Sequence, residues 1–283
     1  MADRPRGGGD RQDQAAAGRG HDGAALRQHL PGLRPHLGVI AVEQHRVALA
    51  GGALAVVLHV PESSTPAPCV VACHGLGASK DSDKYLLLAA ALPAAGLALA
   101  RFDFRGCGES SGVEEAMTIA TRVEDTEAVL DFLGRHPRLD GRFGLLGSSL
   151  GGFVALHVAA RRPGLPVVTW NAPASLTELA NDDLEDGRGL GVPFAVEYAS
   201  GRYALAPRGV PMHLVVQGAA DDVVSLEHGV ALHEGAGEPC DLVIIDGGDH
   251  RLTDPAHRRR AVELSREWLV RYVTAARSPA GSA

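Results

Sequence analysis

Two kinds of hydrophobic pattern alternate along most of this chain, and together they predict its fold class. Short, nearly continuous apolar runs, which are typical of strands buried on both faces, are separated by longer stretches with helical periodicity. The apolar runs are CVVACH, LALARFDF, RFGLLGS, PVVTWNA, MHLVVQG and CDLVIID. Because this alternation is typical of βαβ crossovers, the sequence predicts an α/β fold with a mostly parallel, doubly wound sheet.

The first two β-rich segments follow a different pattern. The runs VIAVEQHRVALA and GALAVVLHV are separated by Gly51 and Gly52, a dipeptide that suits the turn of a hairpin. An antiparallel pair is therefore expected to open the domain. Together with the six later runs, this pair predicts a sheet of about eight strands.

Helices are clearest in two places. In TRVEDTEAVLDFLGRH, Thr121 and Glu124 have the spacing of a capping box, and several apolar residues share one face. A second helix is predicted near the carboxyl terminus, from about 255 to 276.

The composition along the chain predicts the domain boundaries. Residues 1–38 are rich in Gly, Arg, Ala and Asp and offer little to bury, so they are expected to form a disordered extension. A single domain is expected over 39–276, followed by a flexible tail at 277–283. The connection at 174–206 is far longer than a usual crossover and mixes acidic with aromatic residues, which predicts a small helical lid.

Overall composition narrows the classes of partner. The chain has 283 residues and a net charge of -7, which argues against nucleic acid or an anionic membrane surface and favours a small molecule. No window approaches the ~20 apolar residues of a membrane helix, so no membrane insertion is expected. Four scattered cysteines without C-x-x-C spacing and the lack of a secretory signal pattern favour the cytoplasm. Nothing in the sequence indicates the oligomeric state.

The motif with the clearest chemistry is Gly147-Ser148-Ser149-Leu150-Gly151, which matches G-x-S-x-G. It lies where a predicted strand must turn abruptly into a predicted helix, the context in which such a serine projects as a nucleophile. Glycines two residues before and after Ser149 would let strand and helix pass closely. The backbone amide of Leu150, at the start of the helix, would then point at a developing oxyanion.

A serine hydroxyl needs a base to accept its proton, and the base needs a carboxylate to orient it. In the strand-turn-helix context of this motif, the acid and the histidine follow the serine on later loops. The loop after MHLVVQG offers Asp221 and Asp222, and the loop after CDLVIID offers His250. His257, in the downstream helix, is a weaker alternative base.

Five landmarks in order resemble the α/β-hydrolase superfamily, over about 39 to 273. They are a His-Gly loop at 74–77, the segment DFRGCGESSG, the nucleophile motif, a G-x-x-D-x-x-V loop from Gly218 to Val224, and GGDH ending at His250. The chain is most similar to small-lid serine esterases and serine-aminopeptidase-like members. This resemblance implies the acid at Asp221, with Asp222 as the runner-up.

The resemblance also implies the second donor of an oxyanion hole, the backbone amide of Leu76 just after the His-Gly pair. His74 is interpreted as a residue that braces this loop, and Asp103 and Arg105 as structural. The serine nucleophile separates the chain from haloalkane dehalogenases and epoxide hydrolases, which use aspartate, and from dienelactone hydrolases, which use cysteine.

The expected activity is hydrolysis of a small carboxylic ester by Ser149, His250 and Asp221 through an acyl-enzyme. An aminopeptidase or amidase and a thioesterase are alternatives on the same triad, and a non-catalytic binding protein is a remote one. No metal cluster is indicated, and the G-x-G at 106–108 lacks the third glycine of a dinucleotide loop, since position 111 is serine. No cofactor is therefore expected.

Overall fold

The computed structural model of the protein describes residues 40–177 and 190–275. Its eight strands are β1 (Ile40–Leu49), β2 (Gly52–Pro61), β3 (Ala67–Cys73), β4 (Ala98–Phe102), β5 (Leu139–Ser148), β6 (Val167–Trp170), β7 (His213–Gly218) and β8 (Cys240–Ile245). Its six α-helices are α1 (Asp83–Ala94), α2 (Ile119–Leu133), α3 (Leu150–Arg161), α4 (Val192–Ala199), α5 (Leu226–Gly235) and α6 (Pro255–Ala275).

All eight strands belong to one sheet, in the order β1-β2-β4-β3-β5-β6-β7-β8. Neighbouring strands in the series β4-β3-β5-β6-β7-β8 are parallel to each other. In contrast, β2 is antiparallel to both of its neighbours, β1 and β4. The prediction of a mostly parallel sheet of about eight strands is confirmed. Because the parallel strands all end at one edge of the sheet, the loops that follow them meet there.

The opening hairpin is present, but its turn lies one residue earlier than predicted. Leu49 pairs with Gly52, so the turn consists of Ala50 and Gly51, and Gly52 already belongs to β2. Gly51 has a φ of 87°, which only glycine adopts without strain. Gly52 is required for another reason, since a Cβ there would overlap the side chain of Ser111. Gly51 therefore forms the turn, and Gly52 leaves space for the loop that contains Ser111.

The start of α2 also differs from the sequence prediction. The capping box is formed by Thr118 and Thr121, three residues before the predicted pair: the Thr118 hydroxyl accepts from the Thr121 amide, and the Thr121 hydroxyl accepts from the Thr118 amide, both at 3.0 Å. The carboxylate of Glu197 accepts hydrogen bonds from the next two amides, of Ile119 and Ala120. The helix therefore begins where a side chain from α4 satisfies its free amides, a contact that local sequence does not show.

Helices cover both faces of the sheet and bury two apolar layers. One layer contains residues of α2 and α3, and the other contains residues of α1 and α6. In the second layer the buried Trp170 indole donates to the Ser265 hydroxyl at 2.9 Å, so even the polar atom of this large side chain is satisfied. This two-sided packing is the doubly wound arrangement expected from the apolar strands.

The predicted lid at 174–206 is described only in part. Its two ends meet in an antiparallel bridge between Ser175 and Leu205, and α4 carries Phe194, which is buried. The acidic residues that helped to predict the lid lie outside the described residues, as do the predicted disordered extension at 1–38 and the tail at 277–283. Among the helices that the structure describes, none is both long and apolar enough to cross a bilayer.

A buried ion pair fixes the loop after β4. The carboxylate of Asp103, fully buried, accepts from the Lys80 ammonium at 3.0 Å, from the Lys80 amide at 2.8 Å and from the Glu109 amide at 3.0 Å. This single side chain joins two loops. Arg105, two residues on, pairs with the buried carboxylate of Asp125. Both residues have structural contacts of the kind that the sequence analysis expected.

We expect Asp103→Asn to lower the free energy of unfolding by about 3 kcal/mol, because it leaves the buried Lys80 ammonium without its buried counter-charge. Glu109→Gln is the matched control: it removes another carboxylate from the same lysine, but one whose side chain is 67% exposed, and should cost less than about 1 kcal/mol. Urea unfolding measures both. Equal losses would contradict the assignment of Asp103 as the main partner.

Candidate active site

The site is built around a sharp turn between a strand and a helix. β5 ends at Ser148 and α3 begins at Leu150, which leaves Ser149 alone between them with φ 54° and ψ -131°. A positive φ is strained for serine. The Ser149 amide donates to the Trp170 carbonyl at 2.9 Å, so the neighbouring strand β6 helps to hold the strained conformation. The strand-turn-helix context predicted from the sequence is therefore present.

The glycines of the motif are required by the close approach of backbone segments. A Cβ on Gly147 would overlap the carbonyl of Gly151, and a Cβ on Gly151 would overlap the carbonyl oxygens of Cys73 and His74. The first contact is between β5 and α3, and the second is between α3 and the end of β3. No side chain fits at either position, which explains the spacing of the motif physically.

Ser149, His250 and Asp221 are brought together by three separate loops. His250 Nε2 lies 3.1 Å from Ser149 Oγ, and His250 Nδ1 lies 2.9 Å from Asp221 Oδ2. When Nδ1 donates its hydrogen to the carboxylate, Nε2 is free to accept the hydrogen of the serine hydroxyl. The arrangement can thus move a proton from the hydroxyl to the imidazole.

Of the two acids that follow β7, Asp221 faces the histidine. Its side chain is fully buried, and one of its oxygens also accepts from the amides of Val223 and Val224 at 3.0 and 2.8 Å. Asp222 is exposed. The alternative base, His257, lies on α6 and is half-buried. The geometry therefore places the first-choice residues, and not their runners-up, in mutual contact.

The His-Gly loop lies against the nucleophile turn. A Cβ on Gly75 would be 3.2 Å from the Ser148 carbonyl oxygen and from Ser149 Cβ, which shows how near the two segments are. Leu76 lines a cavity of about 380 Å³ together with Ser149 and His250. Leu150 is the first residue of α3, where backbone amides have no partner within the helix. Both amides predicted for an oxyanion hole thus belong to segments that border Ser149.

His74 has a structural role. It is fully buried, its Nδ1 donates to the Gly75 carbonyl at 2.8 Å, and its Nε2 accepts from the Phe104 amide at 3.2 Å. Burial, together with the nearby Arg122 charge, lowers the pKa of this imidazole to about 4. A neutral ring with both nitrogens bonded to backbone braces the loop, as expected from the sequence.

Asn171, which was not predicted from the sequence, connects the loops that carry the histidine and the acid. Its amide nitrogen donates to the carbonyls of Asp249 and His250, both at 3.0 Å, and its oxygen accepts from the Gly218 amide at 2.8 Å. Asn171 has a positive φ of 49° directly after β6. An asparagine at the carboxyl end of a strand is the signal that could have drawn attention to it.

Lys84 was also missed. It lies on α1, lines the same cavity, and its ammonium donates to the Ser148 hydroxyl at 2.7 Å. No motif in the sequence marks this lysine, since α1 lies about 65 residues before the serine. Only the folded structure brings it next to the nucleophile turn.

Among the described residues, the structure has one group of side chains with the composition of a metal site, formed by Glu43, His45 and His136. Both imidazoles contact the Glu43 carboxylate, at 3.2 and 3.0 Å, and the Arg138 guanidinium pairs with it at 3.1 Å. Glu43 and His45 lie on β1, at the opposite edge of the sheet from β8, and His136 lies in the connection between α2 and β5. Three protein partners already satisfy the carboxylate.

The chain resembles known proteins in sequence and in fold. A family model described as serine aminopeptidase, S33, matches residues 64–180. The Escherichia coli (strain K12) protein YfhR, itself named uncharacterized, is 27% identical over 226 residues, which are 78% of this chain and 76% of YfhR.

Solved structures show the same fold. The structure of Est1E from Butyrivibrio proteoclasticus with ferulic acid bound has a TM-score of 0.71 at 22% identity, and covers 81% of this chain and 99% of Est1E. Mouse alpha/beta hydrolase domain-containing protein 10 has a TM-score of 0.67 at 17% identity, over 81% and 99% of the two chains. The chain has the α/β-hydrolase fold of these structures, and the family model together with them supports a hydrolase of that fold.

We expect Gly151→Ala to prevent the nucleophile turn from forming, because the new methyl group would overlap two backbone carbonyls that cannot move without separating α3 from β3. The expected loss of stability exceeds about 4 kcal/mol. Gly134→Ala is the control, since Gly134 has a helical φ of -62° and its added Cβ would lie 3.4 Å from its nearest neighbour. Thermal unfolding followed by circular dichroism compares the two, and a parent-like melting temperature for Gly151→Ala would refute the steric argument.

Proposed function

We propose that this protein is a serine hydrolase that cleaves a small carboxylic ester, with Ser149 as nucleophile, His250 as general base and Asp221 as the orienting acid. The observation that carries the proposal is the unbroken series of contacts from Ser149 Oγ to His250 Nε2 and from His250 Nδ1 to Asp221. A strained backbone at the serine supports it, because strain of this kind clusters at functional sites.

In the first half of the reaction, Ser149 Oγ attacks the acyl carbon while His250 Nε2 takes the hydroxyl proton. The carbonyl oxygen becomes an oxyanion, which the backbone amides of Leu76 and Leu150 would stabilise. The bond from carbon to the alcohol oxygen then breaks, and His250 gives its proton to the departing alkoxide. The products of this half are the free alcohol and an ester of Ser149.

In the second half, water attacks the acyl-enzyme. His250 takes a proton from the water as the new carbon–oxygen bond forms, and returns it to Ser149 Oγ as the acyl–serine bond breaks. A carboxylic acid leaves and the enzyme returns to its starting state. Asp221 keeps the imidazole in one orientation and stabilises its positive charge in both halves. This sequence of steps uses no cofactor, and its only partner is the small-molecule ester.

Ester cleavage is favoured over peptide cleavage by the leaving group and by the cavity. An alkoxide leaves with less help than an amine. An aminopeptidase, the alternative that the matching family model suggests, would need a free carboxylate to hold the substrate amine. The acidic residue lining the described cavity is Asp83, and its carboxylate already pairs with Arg258 at 3.2 Å. A thioesterase would use the same triad, and we treat it as the second candidate.

We expect Ser149→Ala to lower turnover of p-nitrophenyl acetate by about 10⁴-fold or more, since it removes the nucleophile. It should also abolish labelling by a fluorophosphonate probe, whereas Ser63→Ala, in an exposed loop, should label like the parent. A panel of esters, thioesters and aminoacyl p-nitroanilides, with Ser149→Ala as the blank, ranks the substrate classes. Absence of labelling in folded parent protein would favour a non-catalytic binding protein.

We expect Asp221→Asn to lower kcat by about 10⁴-fold, because an amide cannot stabilise the imidazolium and favours the wrong tautomer of His250. Asp222→Asn, the same substitution one residue further on, should leave kcat close to that of the parent because its side chain is exposed. Steady-state kinetics on one ester measure both variants. A larger effect at residue 222 would reassign the acid.

A further inference from the structure

The cavity beside Ser149 carries an excess of positive charge. Lys84, Arg251 and Arg258 line it, against the single carboxylate of Asp83. The sign of the charge in the cavity is therefore opposite to that of the whole chain, which has a net charge of -7. A concentration of cations at a concave site in an acidic protein attracts anionic ligands selectively.

Lys84 has no counter-ion among the described residues. Its ammonium donates to the neutral Ser148 hydroxyl at 2.7 Å, and it forms no ion pair with a described carboxylate. Burial, together with repulsion from Arg258 and Arg251, lowers the pKa of this ammonium to about 8. The folded protein therefore holds a cation in an environment that disfavours its charge.

The chain's other lysine provides the contrast. Lys80 is also buried, but its ammonium contacts the carboxylates of Asp81, Asp103 and Glu109 at 2.9, 3.0 and 2.6 Å. The positive charge of Lys80 is thus compensated by protein acids. Lys84 lacks such compensation and faces the cavity, so its missing counter-ion can come from a ligand.

Arg258 and Arg251 extend the positive charge toward the cavity rim. The Arg258 guanidinium is held by the Leu252 carbonyl at 3.0 Å, the Thr253 carbonyl at 3.3 Å and Asp83 at 3.2 Å, and only 17% of its side chain is exposed. Arg251 follows the catalytic candidate His250 directly and is exposed. The Arg258 guanidinium is thus held by three protein groups, whereas the Arg251 side chain is exposed.

We propose that the ester substrate carries a carboxylate a few bonds from the scissile group, and that Lys84 binds this carboxylate with the help of Arg251 and Arg258. The inference rests on the proposed function and specifies its substrate class as the monoester of a dicarboxylic acid. Lys84 contacts the residue next to the nucleophile, so the charged end and the ester must be close together in the substrate. A charge-assisted bond in a partly enclosed site adds specificity that an uncharged acyl group lacks.

Substrate pairs test the proposal directly. Monomethyl succinate, glutarate and adipate are each compared with the neutral methyl ester in which a methyl group replaces the carboxylate: methyl butanoate, pentanoate and hexanoate. We expect at least one anionic ester to have a kcat/KM at least about tenfold above its neutral partner. Equal or lower values for all three anionic esters would overturn the proposal.

Variants of Lys84 test whether this residue causes the preference for anionic over neutral esters. Lys84→Met should reduce the ratio of anionic to neutral kcat/KM by about tenfold or more, and Lys84→Arg should restore most of it because the charge returns. Arg260→Met is the matched control, since Arg260 is exposed on the same helix as Arg258 but does not line the cavity. A ratio that falls equally in Lys84→Met and Arg260→Met would show a general charge effect and overturn the assignment.

Binding without turnover separates this inference from the proposed mechanism. Calorimetry of monomethyl glutarate with Ser149→Ala, and with Ser149→Ala combined with Lys84→Met, should show dissociation constants that differ by about tenfold or more. A tenfold difference supports the anion site whether or not the parent protein is a hydrolase. If the parent protein hydrolyses no ester and does not react with the fluorophosphonate probe, the hydrolase mechanism is refuted but the anion site is not. Equal dissociation constants would overturn the anion site whatever the outcome for catalysis.

Discussion

The close approach of three backbone segments at the nucleophile turn is the constraint on which the site depends. The end of β3, the end of β5 and the start of α3 meet at Gly147 and Gly151, where a single Cβ would already overlap a carbonyl. This contact forces Ser149 into a positive φ and directs its side chain to the carboxyl edge of the sheet. The same contact sets the His-Gly loop against the serine. Strain at one residue is thus maintained by packing over a much larger area.

The order of the strands determines where the remaining groups of the site lie. β5, β6, β7 and β8 are adjacent and parallel, so the loops carrying Ser149, Asn171, Asp221 and His250 follow one another along a single edge. Asn171 lies between the serine loop and the two later loops, and bonds to the backbone of both. A buried amide with three bonds to neighbouring loops holds those loops in register while making no contact that the chemistry itself requires.

The distribution of charge distinguishes structural ions from available ones. Lys80, which serves the fold, is surrounded by three carboxylates. Near the serine the described acids are already engaged: Asp221 with His250, and Asp83 with Arg258. The cations there exceed the anions, although the chain as a whole is acidic. This asymmetry is a property of the three-dimensional arrangement, because Lys84 is far in sequence from Arg251 and Arg258.

The sequence by itself determined the α/β class, the number of strands and the segments that carry Ser149, Asp221 and His250, because these depend on short-range patterns of apolar residues, glycine spacing and chain order. Only the tertiary structure decided that Asp221 and not Asp222 faces the histidine, that α2 begins at the carboxylate of Glu197, and that Asn171 and Lys84 belong to the site. Each of these depends on contacts between residues distant in the chain. Their partners are set by how helices and loops pack on the sheet, and no local pattern encodes that packing.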